Sequence, residues 1–209
     1  MLHKEAVTPA TLDLIYRLQK DPLLSDFYLV GGTALSLQIG HRISNDIDFF
    51  TRQSFDSVLL SEHLEKTYGF SLHYSATNTL KGFIGTIFLD LIKHDYPFVR
   101  EPSIFDGVRM LSKPDICAFK VNAITGNGTR AKDFVDIYFL LKEFSFAEIL
   151  GFYCFKYDQR NGYHAVKSLV YFDDIDPASW PNLLIGKSLT SKEMKSTIIR
   201  HCNNYLTGK

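Results

Sequence analysis

The spacing of hydrophobic residues changes several times within the first half of the chain, and each spacing predicts one type of element. After Thr8-Pro9 the apolar residues recur at helical spacing, which predicts a capped amphipathic helix with proline in its first turn. The unbroken apolar run 27–30 predicts a short buried strand that ends at Gly31-Gly32, where a helix starts at once. The elements predicted after that are a strand at 47–50, a helix at 55–68, and strands within 70–75 and 80–93 that break near Gly82 or Gly85.

Beyond Pro102 the hydrophobic spacing is helical. Thr190 and Glu193 predict a capping box in front of the last helix. The chain is therefore predicted to be of the α/β (α+β) class, with a mixed sheet flanked by helices in a domain over residues 1–110 and a helical C-terminal domain over 111–209. The helices predicted for the second half span 114–124, 131–144, 146–157 and 191–206.

Composition narrows the class of protein. The chain has 209 residues, of which 45% are hydrophobic and 22% charged, as in a soluble globular protein. Its 23 basic and 23 acidic residues give no net charge, so a polyanion would have to bind a local patch rather than respond to a global field. The first 20 residues lack the features of a signal peptide, and no apolar run is long enough to cross a bilayer. A cytoplasmic protein without a membrane partner is expected.

Cysteine usage agrees with that expectation. The three cysteines are odd in number, far apart, and contain no Cys-x-x-Cys pair, which predicts reduced thiols and argues against a zinc cluster. They are Cys117, Cys154 and Cys202.

The first candidate for chemistry is the turn between the predicted strand 27–30 and the following helix. Two glycines, Gly31 and Gly32, leave no Cβ to keep a phosphate away from the backbone amides. The N-terminus of the helix that begins there would direct its amide groups at the same phosphate. The turn is therefore a candidate phosphate-binding site, although Gly-Gly alone more often only makes a turn.

The second candidate is the pair Asp46 and Asp48. Two residues apart in an extended segment, they project from the same face and form a hard oxygen site suited to Mg²⁺ or Mn²⁺. Asp90 is an acid within an otherwise apolar strand, and we predict that it completes a three-carboxylate metal site. An Asp on an exposed strand face is the competing interpretation of Asp90, and Asp95 is the alternative third acid.

The segment VGGTALSLQIGHRISNDIDFF closely resembles the signature of the AbiEii/AbiGii-type nucleotidyltransferases, within the DNA polymerase beta-like nucleotidyltransferase superfamily. These are toxins of bacterial toxin–antitoxin and phage-resistance systems. A second segment is similar to the later motifs of the family and reads LSKPDICAFKVNAITGNGTRAKDFVDIYFLL. Between them the two segments cover the chain from about residue 28 to 141.

The resemblance implies a role for each matching residue. Asp46 and Asp48 match the metal-binding pair, and Lys120 matches a lysine that contacts the triphosphate. Asp133 and Asp136 match the acids of the last motif. A lysine among apolar residues of a helix needs an anion, which agrees with the role of Lys120. The resemblance assigns Gly31, Gly32, Thr33 and Lys120 to the nucleotide, and Arg42 and Ser44 are further candidates for binding it.

Simpler interpretations stay open for several of these residues. Arg42 could pair with Asp46 or Asp48 and only order the loop. Lys120 could snorkel out of a packed helix, and Asp133 and Asp136 could be a helix cap or a surface pair. The basic residues between 187 and 209 could hold an RNA backbone, but a solvated helix face is the preferred interpretation.

The function predicted from these features is transfer of a nucleoside monophosphate from a nucleoside triphosphate to an acceptor hydroxyl, with release of pyrophosphate. The resemblance implies that the acceptor is RNA, such as the 3′ end of tRNA, and that a separate antitoxin relieves growth arrest; a protein acceptor stays open. Two alternatives are a regulatory nucleotide-binding module, which has no need for a third acid, and a metal-dependent phosphohydrolase. The position of Asp90 relative to Asp46 and Asp48 discriminates between nucleotidyl transfer and the first alternative, because an Asp90 that points away from that pair would favour the binding module.

Overall fold

The structure is a computed structural model that describes residues 2–208. The chain divides into two compact units. Unit 1 comprises the chain up to Pro97 together with Glu101–Leu111, and unit 2 comprises Phe98–Arg100 with the chain from Ser112 onward. Among the described residues, no helix has the length and apolar character that crossing a bilayer requires.

The described part of unit 1 is built on one mixed sheet. Its strands are β1 (Tyr28–Val30), β2 (Ile47–Thr51), β3 (Phe70–Ala76), β4 (Thr79–Ile84), β5 (Ile87–Lys93), β6 (Ser103–Phe105) and β7 (Val108–Met110). Their order in the sheet is β3-β4-β5-β2-β1-β7-β6. Strands β2 and β5 run parallel, as do β1 and β7, and the other neighbours are antiparallel.

The two faces of the central strands differ in chemistry because side chains alternate along a strand. One face is apolar and fully or almost fully buried, and it includes Ile47, Phe49, Leu80, Leu89 and Leu91. The opposite face carries the residues between them, including Asp48 on β2 and Asp90 on β5. The alternation therefore places both acids on the same side of the sheet.

The α-helices in the described part of unit 1 are α1 (Pro9–Gln19), α2 (Gly31–Ile39) and α3 (Ser57–Tyr68). As predicted, α1 is capped by Thr8, whose side chain accepts a hydrogen bond from the Thr11 amide. Helices α2 and α3 end at Gly40 and Gly69, both in the left-handed conformation that terminates a helix without steric cost.

The hairpin β6–β7 was not predicted, although the sequence carries its signal. Asp106 and Gly107 join the two strands with φ values of 50° and 83°. Asp-Gly at such positive φ angles is a preferred two-residue hairpin turn. The break predicted near Gly82 or Gly85 occurs at Gly85, which has a φ of 60°, while Gly82 lies inside β4.

Unit 2 is helical. Its α-helices are α4 (Lys113–Gly126), α5 (Ala131–Leu140), α6 (Phe146–Lys156), α7 (Tyr163–Leu169) and α8 (Ser191–Thr207). Helix α4 lies at the centre, in contact with α5, α6 and α7. The predicted capping box of α8 is only half formed, because Thr190 caps the helix while the Glu193 carboxylate accepts from the Tyr138 hydroxyl instead. A complete capping box lies at Ser145 and Glu148.

Candidate functional site

The two glycines at the start of α2 allow side chains from the following loop and strand to approach the helix closely. Gly31 has a φ of 71°, and a Cβ at this position would lie 2.2 Å from Oδ2 of Asp48. A Cβ on Gly32 would lie 2.2 Å from Nη2 of Arg42 and 3.2 Å from the Ser44 hydroxyl. Glycine is therefore required here for a carboxylate and a guanidinium to pack at the N-terminus of α2.

The loop between α2 and β2 is fixed by Thr33. This residue is fully buried, and its hydroxyl donates to the Asp46 carbonyl oxygen at 2.5 Å and lies 3.0 Å from the Ser44 hydroxyl. Arg42 is also buried, and its Nη1 donates to the Ile43 carbonyl oxygen at 3.2 Å. The side chains of Thr33 and Ser44, which were assigned to the nucleotide, thus hold the loop that carries the predicted metal-binding pair.

A row of charged side chains crosses three neighbouring strands on one face of the sheet. Asp48 on β2 is the register partner of Asp90 on β5, and Asp90 is the register partner of Lys81 on β4. Direct register partners project to the same face of a sheet. Asp46, two residues before Asp48, is exposed at the start of β2, while Asp48 is half-buried. We call Asp46, Asp48, Asp90 and Lys81 the charged row.

Asp90 has one paired and one unpaired carboxylate oxygen. Its Oδ2 accepts from Lys81 Nζ at 2.6 Å. Its Oδ1 is buried and has no hydrogen-bond partner within residues 2–208. Burial raises the pKa of the Asp90 carboxyl above its usual value, and the neighbouring Lys81 ammonium opposes that rise. Asp95, the alternative third acid, lies beyond the end of β5, where it contacts Arg52 and Lys93.

The oxygen donors of the charged row are of the type that a hard divalent cation prefers. Mg²⁺ and Mn²⁺ take oxygen ligands, and the row supplies carboxylate oxygens, one of which is the buried Oδ1 of Asp90. In the part of the chain that the structure describes, no three His, Cys, Asp or Glu side chains come together as a metal-binding group. Asp90 Oδ2 contacts Lys81 instead.

The predicted residues of unit 2 form a buried network. Lys120 Nζ lies 2.7 Å from Oδ1 of Asp133 and 2.6 Å from Oδ2 of Asp136. Arg130 contacts the other oxygen of Asp133 through Nε and Nη2, at 2.8 and 2.7 Å. Lys120, Asp133 and Asp136 are each less than 10% exposed. The anion that the Lys120 position requires is therefore supplied by the chain itself, and the two acids are neither caps nor a surface pair.

A second buried ion pair in unit 2 was missed. Lys156 Nζ lies 2.8 Å from Oδ1 of Asp115, and both side chains are at most 1% exposed. The Asp115 carboxylate also accepts from the backbone amides of Val99 and Arg100. Lys156 ends an apolar helix, so the argument that a lysine among apolar residues needs an anion would have found it.

Of the basic residues near the C-terminus, Lys209 lies outside the described residues, and the exposure of most of the others agrees with the preferred interpretation as a solvated surface. Lys187, Lys192 and Arg200 are exposed. Lys195 lies with its Nζ 5.6 Å from the centre of the Phe172 ring. A cavity of about 690 Å³ elsewhere in unit 2 is lined partly by Asn127, His164 and Lys167 and by none of the predicted site residues.

Comparison with known sequences identifies the family. Residues 13–100, which hold the charged row and the glycines of α2, match the family described as "Nucleotidyl transferase AbiEii toxin, Type IV TA system". An uncharacterized protein of Aquifex aeolicus (strain VF5) is 34% identical over 158 residues, which cover 73% of this chain and 76% of that protein. The chain belongs to the AbiEii nucleotidyltransferase family. The resemblance seen in the sequence is confirmed, and the chain is by family a nucleotidyltransferase.

Solved structures agree on the fold. MenT4, a nucleotidyltransferase toxin from Mycobacterium tuberculosis H37Rv, is similar with a TM-score of 0.63 at 15% identity, over 95% of this chain and 83% of that one. JHP933 from Helicobacter pylori is similar with a TM-score of 0.52 at 20% identity, over 97% and 96% of the two chains. Identities this low establish the fold alone, and the predicted nucleotidyltransferase-like α/β class is confirmed.

Proposed function

We propose that this AbiEii-family protein transfers a nucleoside monophosphate from a nucleoside triphosphate to a hydroxyl of RNA, with a divalent metal ion held by Asp46, Asp48 and Asp90. The observation that carries the proposal is the register of β2 and β5, which sets Asp90 beside Asp48 on one face of the sheet. A regulatory nucleotide-binding module would have no need for that third acid.

The start of α2 supplies the proposed phosphate-binding groups. Its N-cap residue, Val30, makes no side-chain cap, and in the proposal the backbone amides at the positive end of the helix dipole bind the phosphate. Arg42 lies close to Gly32 and adds a fixed positive charge. Asp48 packs against Gly31, so the carboxylate and the phosphate-binding amides are adjacent. This arrangement orients a triphosphate beside the acids.

The acids hold the metal ion in the proposal, and Mg²⁺ or Mn²⁺ would neutralise phosphate charge and lower the pKa of the attacking hydroxyl when bound. The Thr33 hydrogen bond to the Asp46 carbonyl fixes the backbone that presents Asp46. In the covalent step the acceptor hydroxyl gives up its proton to water and its oxygen bonds to the α-phosphorus, the bond from that phosphorus to the bridging oxygen breaks, and pyrophosphate leaves with its electron pair.

The biological role follows the family. The family description and the MenT4 name both specify toxins. We infer that this protein is the toxin of a toxin–antitoxin pair, that its acceptor is RNA such as the 3′ end of tRNA, and that a separate antitoxin protein opposes it. The contact of Lys120 with triphosphate stays a prediction.

The test is incubation of the purified protein with each α-labelled nucleoside triphosphate, Mg²⁺ and total cellular RNA. We expect label on RNA with the wild type and with Asp13→Asn, which changes an exposed acid of α1. We expect no label with Asp46→Asn, Asp48→Asn or Asp90→Asn. If Asp90→Asn labels RNA as well as the wild type does and Asp95→Asn does not label RNA, Asp95 rather than Asp90 is the third metal ligand. Absence of label in the wild type, with nucleotide binding intact, would overturn the proposal.

A further inference from the structure

Lys81 is the one member of the charged row to which neither the sequence motifs nor the proposed reaction gives a role. It lies on β4 directly opposite Asp90, which in turn lies directly opposite Asp48. Its Nζ contacts one oxygen of Asp90 at 2.6 Å. A cation of the protein therefore occupies half of the carboxylate that the proposed reaction assigns to a metal ion.

The burial of the two partners is unequal. The Asp90 side chain is 11% exposed, so its charge needs a positive partner, whereas that of Lys81 is 32% exposed. Lysine has a long flexible stem and a compact charge, so Lys81 can leave Asp90 without unfolding the strand. Departure of Lys81 without replacement would leave a buried carboxylate unpaired, which is unfavourable. Exchange is therefore favourable only when another cation arrives.

We propose that Lys81 is a positioning residue that acts as the internal counter-ion of Asp90 and competes with the divalent cation for this carboxylate. This inference rests on the proposed function, because it takes Asp90 as a metal ligand. It accounts for the Lys81 contact at Oδ2 of a carboxylate that the proposed reaction assigns to a metal ion. The ion-paired and metal-bound arrangements of Asp90 are alternatives.

The competition predicts an order of metal affinities that depends on the side chain at position 81. Lys81→Met removes the competing charge, so the metal should bind more tightly. Lys81→Arg keeps the charge and can bind both carboxylate oxygens at once, so the metal should bind as in the wild type or more weakly. A purely structural lysine predicts no such order.

The experiment is titration of the full chain with Mn²⁺ alone, followed by electron paramagnetic resonance at one fixed pH near neutrality. The expected tightening in Lys81→Met is on the order of tenfold in Kd, the size of one partly buried charge contact. The control is Lys93→Met, a lysine at the end of β5 with a similarly exposed side chain that contacts Ser54 and Asp95 rather than Asp90. It removes the same charge from the sheet without touching Asp90.

A second pair of variants, made in a protein that lacks the Asp90 carboxylate, tests whether Lys81 acts through Asp90. In Asp90→Asn, the change Lys81→Met should leave the Mn²⁺ affinity unaltered, because the contested carboxylate is absent. Thermal unfolding of each variant checks that it is folded, and Lys81→Arg supplies the comparison if Lys81→Met does not fold. Equal affinities in Lys81→Met and Lys93→Met, or tighter binding in Lys81→Arg than in the wild type, would overturn the inference.

The two proposals fail in different ways. If the wild type binds Mn²⁺ and Asp46→Asn abolishes that binding while Lys81→Met has no effect, only the role of Lys81 is wrong. If the wild type binds no Mn²⁺ at all, the metal site of the proposed function is wrong, and the competition is wrong with it.

Discussion

The acids of the two units occupy different environments. In unit 1, Asp46 is exposed, and Asp48 and Asp90 lie side by side on one face of a sheet. In unit 2, Asp133 and Asp136 are buried against Lys120, with Arg130 completing the set. The first group includes Oδ1 of Asp90, which accepts no hydrogen bond in the described chain. In the second group, the carboxylates are paired with Lys120 and Arg130.

The difference predicts which replacements act through chemistry alone and which also act through folding. A buried ion pair contributes little net stability compared with a well-packed apolar pair, but removal of one partner leaves an uncompensated charge. An exposed acid can be removed with little effect on folding, so loss of function on its removal reports on chemistry. Replacing an exposed acid of unit 1 should therefore lower activity with little change in stability, whereas replacing a member of the buried network in unit 2 should lower stability.

The largest effect is expected at the exposed acid. Asp46→Asn should lower the rate of label transfer to RNA by a factor of at least about one hundred, because a neutral amide would hold the proposed metal ion, which stabilises the transferred phosphate, much more weakly than a carboxylate does. Initial rates at saturating nucleotide measure this effect. The free energy of unfolding in urea should stay within about 1 kcal/mol of the wild type. A large loss of stability would show that Asp46 is needed for folding and would contradict the difference drawn between the acids of the two units.

The next effect belongs to unit 2. Lys120→Met should lower the free energy of unfolding by about 3–5 kcal/mol, since Asp133 and Asp136 would stay buried without their shared cation. Urea denaturation measures it. The matched control is Lys113→Met, which removes one partner of a partly exposed pair with Glu143 and should change stability by less than about 1 kcal/mol. Equal losses in the two variants would contradict the account of this network.

Replacement of two glycines by alanine should have smaller effects on stability, and these effects should be opposite in sign. Gly31→Ala should destabilise the protein by about 2 kcal/mol, because alanine is strained at a φ of 71° and its Cβ would clash with Asp48. Gly151→Ala, in α6 with open space around the position, should stabilise it by about 0.5–1 kcal/mol. Thermal unfolding compares the two, and stabilisation by Gly31→Ala would refute the close approach of Asp48.

The smallest effect depends on pH. Burial raises the pKa of Asp21, but hydrogen bonds from His63, Tyr68 and the Leu23 amide outweigh burial, and the pKa is lowered overall. The ionised carboxylate therefore stabilises the fold above the pKa of the unfolded chain, and this contribution is lost as the pH falls through the lower folded pKa. Asp21→Asn should cost about 1 kcal/mol near neutral pH. The difference in the free energy of unfolding between the wild type and Asp21→Asn, measured by urea denaturation at each pH, should shrink below about pH 4. A difference that grows in acid would contradict the lowered pKa of Asp21.

The sequence predicted the parts of the fold whose signals are local. The Thr8 cap, the Gly31-Gly32 turn and most helices followed from neighbouring residues, and the pairing of Asp48 with Asp90 followed in outline from one acid in an apolar strand. The contact of Lys81 with Asp90 could not be predicted, because it depends on which strands pair and in which register. The Asp-Gly turn at Asp106 and the lysine at the end of α6 carried readable signals that were missed.

The most direct test of the central claim is the position of the transferred label. RNA is incubated with wild-type protein and Mg²⁺ in parallel reactions that contain either α-labelled or γ-labelled nucleoside triphosphate. The account predicts label on RNA only from the α-labelled nucleotide, with the γ label recovered in pyrophosphate. Label on RNA from the γ position would indicate phosphoryl transfer, and free labelled phosphate without labelled RNA would indicate hydrolysis; either result would contradict the account.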